Sequence, residues 1–490
     1  MGRYKKLTLL HSNDMHGAFL SEQVDGALLG GVSMLSGYVH KVKREEPNAL
    51  YCISGDMLQG SLIDTEFRGL STIEIMNALK PDVVSLGNHE IDYGLGHLLL
   101  LERCAKFPIV NANIFIKSPY TRLFHSHDIL HVGGMKIMFI GIITSEVLSP
   151  LKKDSVLGSL VDVEEAAGEV GKICNAYRAT DVDFTVLLTH IGFEEDKELA
   201  ALLDPDWGVD VIIGGHSHTM LEKPENINNV LIVQAGVGTD QVGRFDIVVD
   251  TDENRVSSYE WQVVPIDSAH CPRDFAIEQA ILKYKTHTDA KYEQILCWLP
   301  HEYTHPDRCR ETQLGNLLCD ALLDALQLDI VMLGSGSIRR EKAGPVFTLR
   351  DLMETMPYDE TLHRLKVSGR QFKQMYAHML RDEALAGAHT EFYQYSRGIS
   401  VVYDKAGKRF LRFDFDGAPI EDERIFTLGI QGFHYANFEE FLGLPLAQVT
   451  KNGKAAILTT SARDVLAEYF STVTIPETHA NAEPPRLVIR

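Results

Sequence analysis

Side chains that commonly bind metal ions follow five apolar segments in the N-terminal half of this chain. They are carboxylates, imidazoles and one amide, and glycines stand beside most of them. Oxygen and nitrogen donors without sulfur suit Mg²⁺, Mn²⁺, Zn²⁺ or Co²⁺. In chain order the donors are Asp14 and His16 in SNDMHG, Asp56 in GDMLQGS, Asn88 in GNHEID, His190 in HIG, and His216 and His218 in GHSHT.

Phosphoryl transfer is a chemistry that needs such a donor set. Two divalent ions about 3.5 to 4 Å apart can hold an attacking hydroxide and a phosphoryl oxygen together. A carboxylate must bridge the two ions to offset their mutual repulsion. Asp56, which stands alone in its loop after a glycine, is predicted to be that bridge.

One histidine alone is weak evidence for a metal site, because a histidine after a strand is more often simply hydrogen-bonded. His125, His127 and His131 in FHSHDILH also alternate, but they precede a pair of glycines and do not end an apolar strand. They are predicted to lie on a solvated strand face. The metal prediction therefore depends on all five segments occurring together.

Short strands rich in β-branched and other apolar residues must position these donors. Up to about residue 265 such runs alternate with segments of helical period, which indicates an α/β domain whose strands are covered on both faces. In an open α/β sheet the carboxyl ends of the strands face one crevice, so the polar segments can converge there. The predicted strands are LTLLH, ALYCIS, DVVSL, KIMFIGIIT, DFTVLLT, VDVIIG and VLIVQAG.

A second α/β stretch follows a segment of different composition. From Cys271 to Pro300 charged and polar residues predominate, with Ile277, Ile281 and Tyr284 at helical spacing, which predicts an exposed helix that links two domains. The length of 490 residues agrees with two or three domains. Beyond the linker the chain has a predicted helix, TQLGNLLCDALLDAL, a strand, DIVML, a glycine-serine loop, and the runs LHRLKVSG and RIFTLGIQG.

Composition restricts the partners and the compartment. The formal net charge of −21 repels long polyanions, so duplex nucleic acid and anionic membranes are disfavoured as partners. We find no secretory apolar run at the start and no later run long enough for a membrane span. The seven cysteines are odd in number and lack CxxC spacing, which argues against a disulfide framework and a thiolate metal site. These features predict a reduced, cytoplasmic protein and leave its oligomeric state open.

The five polar segments also resemble a known family. The series D-x-H, G-D-x-x-x-G, G-N-H-E-x-D, T-H-x-G and G-G-H-S-H is similar to that of the calcineurin-like metallophosphoesterases, and specifically of the 5'-nucleotidase / UDP-sugar hydrolase family. All five motifs match in order across roughly the first 240 residues. The resemblance implies an N-terminal four-layer α/β/β/α sandwich over 1–265, a helical linker over 266–300, and an α/β substrate-binding domain over 301–490.

The resemblance also implies a role for each polar residue. The third residue of the last motif is often glutamine in the family, and His218 is an equally plausible ligand. One ion would be held by Asp14, His16, Asp56 and His218, and the other by Asp56, Asn88, His190 and His216.

Three further residues of GNHEID need an interpretation. By resemblance His89 and Asp92 form the catalytic dyad, in which Asp92 orients a protonated imidazole that stabilises charge or protonates the leaving oxygen. Asp92 could instead be the N-cap of the next helix. Glu90 is predicted to point away from the crevice and to be solvated or to cap that helix.

Two arginines of the second domain are predicted to bind phosphate. By resemblance Arg308 in DRCRETQLGNLL matches the phosphate-binding arginine of R-x-x-E/Q-T-N-M-G-N-L, and a guanidinium fork suits phosphate oxygens. The loop VMLGSGSIRR resembles T-N-G-G-G-I-R, which makes Arg339 a second anion contact. Here Ser335 and Ser337 replace glycines, and Gly334 replaces asparagine.

Aromatic residues of the second domain are predicted to hold a base. METMPYDETL resembles the segment L-P-F-G-N, so that Tyr358 would form one wall of an aromatic sandwich, although it could equally be a half-buried loop tyrosine. The opposite wall should come from GIQGFHYANFEEFLGL, where Phe433, Tyr435 or Phe438 could supply a ring. That stretch lacks the GGD of the family segment F-x-x-x-G-G-D-G-F.

These observations lead to one main functional hypothesis and two alternatives. The main hypothesis is a 5'-nucleotidase-type phosphoesterase that hydrolyses a nucleotide or nucleotide-like phosphate ester by in-line attack of a hydroxide bridging two divalent ions, Mn, Zn, Co or Mg. The same site could instead cleave a UDP-sugar pyrophosphate or a 2',3'-cyclic nucleotide. The third possibility, a catalytically silent nucleotide-binding protein, is disfavoured because the full ligand set is present.

Overall fold

Two units make up the chain, Met1–Thr288 and Asp289–Arg490. The computed structural model describes residues 3–24, 26–116, 121–143, 157–160, 162–385, 392–475 and 485–490. The strands of the first unit are β1 (Tyr4–Asn13), β2 (Glu22–Val24), β3 (Ala27–Leu29), β4 (Ala49–Ser54), β5 (Val83–Ser85), β6 (Ile109–Val110), β7 (Ile114–Ile116), β8 (Thr121–Arg122), β9 (His127–Val132), β10 (Met135–Ile143), β11 (Leu157–Leu160), β12 (Phe184–His190), β13 (Val211–Ile213), β14 (Glu225–Ile227), β15 (Val230–Val233), β16 (Gln241–Asp250) and β17 (Arg255–Pro265). Each of the seven apolar runs predicted as strands overlaps one of these elements.

The main strands of the first unit form two six-stranded sheets within the described residues. Their orders are β17-β16-β1-β4-β5-β6 and β14-β15-β13-β12-β10-β9. In the first sheet β1, β4, β5 and β6 are parallel, and in the second β10, β12, β13 and β15 are parallel. Parallel strands place their carboxyl ends at one edge, which is where the predicted ligands follow.

Helices cover the outer face of each sheet, which gives the predicted four-layer α/β/β/α order. Alternate residues of β1 show the layers: Leu9 packs in the core shared by the two sheets, whereas Leu10 packs in the core under the helices. The second sheet repeats this with Phe139 and Ile140. The helices are α1 (Val32–Glu45), α2 (Leu62–Phe67), α3 (Leu70–Leu79), α4 (Leu95–Cys104), α5 (Val163–Tyr177), α6 (Phe193–Leu202) and α7 (Phe275–Tyr292).

Helix α7 occupies most of the predicted linker. Its residues Ile277 and Ile281 are buried in the core of the first unit, and the division between the two units falls at Thr288, inside the helix. The helix ends at Tyr292. The prediction of a helical linker up to residue 300 is wrong at its end, because Ile295–Trp298 forms a strand that pairs with Val346–Thr348.

The second unit is also α/β. A five-stranded sheet has the order β24-β20-β28-β23-β29, and a four-stranded sheet has the order β27-β26-β25-β30, both counted in the described residues. Its strands are β18 (Ile295–Trp298), β19 (Tyr303–Thr304), β20 (Ile330–Gly334), β21 (Lys342–Ala343), β22 (Val346–Thr348), β23 (Leu362–Ser368), β24 (Tyr393–Tyr395), β25 (Ile399–Asp404), β26 (Arg409–Phe415), β27 (Ala418–Pro419), β28 (Ile425–Gln431), β29 (Ala456–Thr459) and β30 (Leu487–Ile489). Its helices are α8 (Gln313–Leu326), α9 (Leu349–Thr355), α10 (Gly369–Met379), α11 (Asp382–Leu385), α12 (Gly432–Ala436), α13 (Phe438–Leu442), α14 (Leu446–Val449) and α15 (Ala462–Thr472).

Two predictions from composition can be compared with the fold. All seven cysteines are free, as their odd number and spacing predict. Among the described residues, no helix combines the length and the apolar character needed to cross a bilayer. The cytoplasmic location stays a prediction.

His11 is a buried polar residue between the two sheets of the first unit. Its ring stacks on Trp261 with ring centres 5.4 Å apart, and Gly243 lies so close that a Cβ there would collide with it. Neither ring nitrogen has a hydrogen-bond partner in the described structure. Burial lowers the pKa of His11 to about 3, so the ring is neutral in the folded protein at neutral pH.

We expect His11→Leu to reduce the acid sensitivity of the first unit. Because the pKa of His11 is lower in the folded than in the unfolded chain, its contribution is fully present above about pH 6.5 and is lost as the pH falls towards 3. Between pH 7.5 and pH 5 the free energy of unfolding should fall by about 2 kcal/mol on account of this ring. Urea denaturation at pH 7.5 and pH 5, with EDTA in both samples, measures the difference. An equal loss in the wild type and the variant would contradict the prediction.

Candidate metal centre

Five strands of the first unit end at one place. In the first sheet Asn13 of β1 lies beside Ser54 of β4, and Ser54 lies beside Ser85 of β5. The hydroxyl of Ser54 is 2.7 Å from the carbonyl oxygen of Thr189, the residue before the end of β12, and 2.8 Å from that of Ile213, which ends β13. This one side chain therefore connects the first sheet to both ligand-bearing strands of the second, and the predicted convergence is found.

Three buried residues form the centre of the site. Asp14, Asp56 and His190 are each at most 2% exposed. Nε2 of His190 lies 3.1 Å from Oδ2 of Asp56 and 3.8 Å from Oδ1 of Asp14. Oδ2 of Asp56 is also 3.9 Å from Nε2 of His16, so it lies between a predicted ligand of each ion, and its bridging role stays a prediction.

The other four predicted ligands flank this centre. On one side Nε2 of His218 is 3.4 Å from Oδ1 of Asp14 and 3.1 Å from Nε2 of His16. On the other side Oδ1 of Asn88 is 3.1 Å from Nε2 of His190 and 2.8 Å from Nδ1 of His216. The structure thus brings all seven predicted ligands together, in the two groups that the resemblance implies. Their ligation of metal stays a prediction.

Hydrogen bonds fix which histidine nitrogens face the centre. Nδ1 of His190 is 3.0 Å from the carbonyl oxygen of Ser54, and Nδ1 of His16 is 3.0 Å from that of Gln59. Because a carbonyl only accepts, each Nδ1 carries the hydrogen, and each Nε2 of a neutral ring presents a lone pair to the centre. For His190 this nitrogen lies beside the oxygens of Asp56 and Asn88.

Carboxylates that are buried side by side need a cation to compensate their charge. Burial opposes a proton on His190, yet the carboxylates of Asp56 and Asp14 outweigh burial and hold the pKa of His190 above its usual value. The same field attracts a metal ion, and oxygen and nitrogen donors at these separations suit Mn²⁺, Zn²⁺, Co²⁺ or Mg²⁺. Three groups of described residues each have ligand atoms that lie within 4.8 Å of one another inside the group: Asp14/His16/His218, His16/Asp56/His89 and Asp14/Asp56/His190. The donor set therefore fits divalent metal ions.

Backbone conformation aims most of these side chains. A non-glycine residue with positive φ is uncommon, and holding one costs on the order of 1 to 3 kcal/mol. Such strain is often found at functional sites, where the surrounding structure holds it in place. The predicted ligands with left-handed φ are Asp14 (50°), His16 (48°), Asp56 (50°), His216 (78°) and His218 (54°).

His89 and Asp92 form a hydrogen-bonded pair beside the centre. Nδ1 of His89 is 2.7 Å from Oδ2 of Asp92, and both side chains are about one-third exposed. Burial favours the neutral ring, but the Asp92 hydrogen bond and the charge of Asp56 prevail and raise the pKa of His89. The alternative that Asp92 caps the next helix is wrong, because the N-cap of α4 is Gly94.

Glu90 does not point to solvent, and that prediction is wrong. Its side chain is 3% exposed and turns back into the protein. One carboxylate oxygen accepts the N–H groups of Gly87 at 2.6 Å and Asp56 at 3.0 Å, and the other accepts those of Met57 at 2.8 Å and Leu58 at 3.3 Å. No side-chain pattern in the sequence signals this role, because the partners are backbone N–H groups and three of them are more than thirty residues away.

Two loops of the second unit carry the predicted phosphate-binding arginines. Thr312 is the N-cap of α8, and Arg308 lies exposed in the loop before it. Arg339 is exposed after the turn Ser335–Ser337, and its guanidinium donates a long hydrogen bond of 3.4 Å to the carbonyl of Gly336. Both guanidinium groups are therefore accessible to an anion.

A buried glutamine joins these two loops. Nε2 of Gln394 donates to the carbonyl of Arg310 at 2.8 Å and to the hydroxyl of Ser335 at 2.9 Å. The second serine of the turn, Ser337, pairs with Nε2 of the buried Gln431 at 3.1 Å, and Oε1 of Gln431 accepts the N–H of Gly334 at 2.9 Å. The serines that replace glycines of the family pattern thus have partners that hold the turn in place.

The predicted base-binding rings differ in how accessible they are. Tyr358 is 54% and Phe433 is 50% exposed, so both can offer a ring face to a ligand. Tyr435 stacks on His363 with ring centres 4.1 Å apart, which occupies one of its faces. Phe438 is 2% exposed in the core and does not offer a ring. Phe433 is therefore the better candidate for the second wall.

Comparison with known proteins agrees with the motifs. Residues 7–220 match the model of the calcineurin-like phosphoesterases, and residues 292–442 match that of the 5'-nucleotidase C-terminal domain. The 5'-nucleotidase of Homo sapiens is 29% identical over 460 residues, which cover 84% of this chain and 78% of that protein.

Solved structures with the same fold cover the whole chain. A 5'-nucleotidase precursor from Thermus thermophilus aligns with a TM-score of 0.69 at 24% identity, covering 99% of both chains. A putative 5'-nucleotidase from Staphylococcus aureus aligns with a TM-score of 0.71 at 18% identity, covering 99% of this chain and 100% of that one. The comparisons confirm the predicted resemblance and the predicted fold class.

We expect Asp56→Ala and His89→Ala to separate metal binding from proton transfer. Asp56→Ala removes the carboxylate at the middle of the donor set, so it should lose at least half of the about two ions expected per chain. His89→Ala should keep both ions and lower kcat for an aryl phosphate by about 10²- to 10⁴-fold.

Elemental analysis of the purified variants, together with steady-state kinetics, measures both effects. Asp128→Ala is a matched control, because Asp128 lies on β9 outside the ligand groups. Equal loss of metal in Asp56→Ala and His89→Ala would make His89 a ligand and contradict its role in proton transfer.

Proposed function

We propose that this chain, which is similar to the 5'-nucleotidase-type metallophosphoesterases in both of its units, is a phosphoric ester hydrolase that acts on nucleoside 5'-monophosphates or closely related phosphate esters. This proposal is carried by the buried group of Asp14, Asp56 and His190, whose potential ligand atoms lie within 4.8 Å of one another. Such a group supports tight binding of divalent ions at the end of a rigid pair of sheets.

The residues of the first unit supply the chemistry around these ions. Asp14, His16, Asp56 and His218 would hold one ion, and Asp56, Asn88, His190 and His216 the other. When bound, the ions polarise the phosphoryl group and make a water molecule acidic enough to attack it. The amide of Asn88 also orients a phosphoryl oxygen.

His89 is proposed to protonate the leaving oxygen of the ester. Its pKa is raised, so the protonated ring is available near neutral pH, and Asp92 fixes Nδ1 so that Nε2 points away from the pair. Loss of Asp92 would leave the ring free to rotate and would favour its neutral form. Asp92 is therefore a positioning group for His89.

The second unit is proposed to bind the rest of the substrate. Arg308 and Arg339 are exposed cations on two loops joined by Gln394, and each guanidinium can bind two phosphate oxygens. Tyr358 and Phe433 offer exposed rings to a nucleobase. Because the family's GGD segment is missing here, base preference is expected to be broad.

A substrate panel tests the proposed function. The metal-depleted protein is supplied with Mn²⁺, Co²⁺, Zn²⁺ or Mg²⁺ in turn and assayed for release of phosphate from nucleoside monophosphates, UDP-glucose, 2',3'-cyclic nucleotides and an aryl phosphate. We expect nucleoside 5'-monophosphates to give the highest kcat/KM, and EDTA to abolish turnover.

Each other outcome selects a different function. Preference for UDP-glucose would indicate a pyrophosphatase, and preference for cyclic nucleotides would indicate a phosphodiesterase. No turnover with any metal, together with retained nucleotide binding, would indicate a silent nucleotide-binding protein.

We expect Arg339→Ala to weaken substrate binding without affecting the chemical step. A hydrogen bond to a charged group contributes about 1.5 to 3 kcal/mol, so KM for a nucleoside monophosphate should rise by about 10- to 100-fold while kcat changes little. The neighbouring Arg340 is a matched control, because it is paired with Asp351 and Glu354. Arg340→Ala should lower the thermal midpoint and leave KM unchanged. An equal rise of KM in both variants would contradict the assignment.

A further inference from the structure

We propose that Glu90 is a positioning residue for the metal centre, which fixes the loop of Asp56 and thereby the carboxylate between the two ions. The inference rests on the proposed function only in that the site must bind metal. The two carboxylate oxygens of Glu90 accept hydrogen bonds from four backbone N–H groups.

The loop after β4 has no regular partner for its own N–H groups. Asp56 and Gln59 both have left-handed φ, and Met57 and Leu58 are fully buried. Without an acceptor, the N–H groups of Asp56, Met57 and Leu58 would be orphaned away from water, at about 1 to 3 kcal/mol each. Glu90, more than thirty residues along the chain, accepts all three.

Reciprocal hydrogen bonds then join this loop to the one after β5. Glu90 accepts the N–H of Asp56, while Oδ1 of Asp56 accepts the N–H of His89 at 2.9 Å. Gly87 lies so close to the backbone of Asp56 that a Cβ there would collide with it. The two loops can therefore hold only one relative position, and it places Asn88 and His89 beside the Asp56 carboxylate.

The same segment also holds the loop after β1. The N–H of His16 donates to the carbonyl of Asp56, and that of Gly17 donates to the carbonyl of Met57, both at 3.0 Å. The segment 56–57 thus presents its N–H groups to Glu90 and its carbonyls to the first ligand loop. A displacement at Glu90 would move ligands on three loops together.

Glu90 is not a ligand itself. Its two oxygens are both engaged by N–H groups, and it is absent from the groups of described residues that could hold a metal ion. Glutamine in its place would keep one acceptor oxygen and turn an NH₂ donor toward N–H donors. Glu90→Gln therefore tests acceptor capacity with almost no change of volume.

Metal titration of the full chain is the deciding experiment. EDTA-stripped wild type, Glu90→Gln and Glu90→Asp are titrated with Mn²⁺ by calorimetry, and the coupling between two bound Mn²⁺ ions is followed by electron paramagnetic resonance. We expect Glu90→Gln to bind at least one Mn²⁺ ten or more times more weakly and to lose the coupled signal, and Glu90→Asp, which keeps both oxygens on a shorter stem, to be intermediate. At saturating Mn²⁺ the kcat of Glu90→Gln should fall at least tenfold, with KM within threefold of wild type.

Glu169→Gln is the matched control for loss of a buried carboxylate. Glu169 is 8% exposed in the same unit and pairs with Arg122 and Lys172, away from the ligand loops. The Glu169→Gln variant should have a lower thermal midpoint than the wild type but the same Mn²⁺ affinity and the same coupling between the bound ions. If Glu90→Gln does not fold, the test uses Glu90→Asp instead. Its Mn²⁺ affinity and coupling are then compared with those of Glu169→Gln, and the thermal midpoints of both variants are measured to separate the effect from general stability.

Wild-type Mn²⁺ affinity and coupling in the folded Glu90 variants would overturn the proposal. So would an equal loss of affinity in Glu169→Gln, because the effect would then follow general stability. Binding and coupling are measured without substrate, so the two proposals can fail separately. If the wild type hydrolyses none of the esters above, but the Glu90 variants still bind Mn²⁺ more weakly than the wild type and lose the coupling, only the proposed function is overturned.

Discussion

The burial of two carboxylates and a histidine at one point is the constraint on which the first unit depends. Asp14, Asp56 and His190 are nearly inaccessible to water, and Nε2 of His190 lies 3.1 Å from an oxygen of Asp56 and 3.8 Å from one of Asp14. Taking such groups out of water is costly unless a cation compensates them. The packing of the two sheets, the common position of the strand ends and close backbone contacts such as that of Gly87 with Asp56 hold these atoms together despite the cost of desolvation.

The positions of the predicted ligands require backbone conformations that do not occur in regular β-strands. Five of the seven predicted ligands adopt left-handed φ, and their loops leave N–H groups without a regular partner. The compensating acceptors come from elsewhere: Glu90 for the Asp56 loop, and the Asp14 carboxylate for the N–H of His216 at 3.0 Å. The strained backbone of the ligand loops thus depends on the carboxylates that accept its N–H groups. Removing these acceptors would let the ligand loops move apart.

The sequence predicts this arrangement only in part, for physical reasons. Apolar runs indicate buried strands because their period and length differ from those of helices, and parallel strands end at one edge, so the seven ligands could be named. Glu90 was missed because its partners are backbone N–H groups, three of them more than thirty residues away, and these leave no pattern in side-chain chemistry. Tyr435 could not be separated from Phe433 for a similar reason, since its stacking on His363 depends on tertiary packing.

The second unit meets the same requirement with amides in place of a carboxylate. Its turn Ser335–Ser337 also follows a buried strand and also leaves polar groups to be satisfied, and Gln394 and Gln431 satisfy them while joining the loop of Arg310 to it. An amide suits this position because it can donate as well as accept, which a carboxylate cannot, and because it adds no negative charge to oppose an anion bound by Arg308 and Arg339. At the proposed metal centre the groups to be satisfied are N–H donors, and a carboxylate that accepts them also favours cations nearby. The side chain behind each loop therefore agrees with the charge of what that loop is proposed to bind.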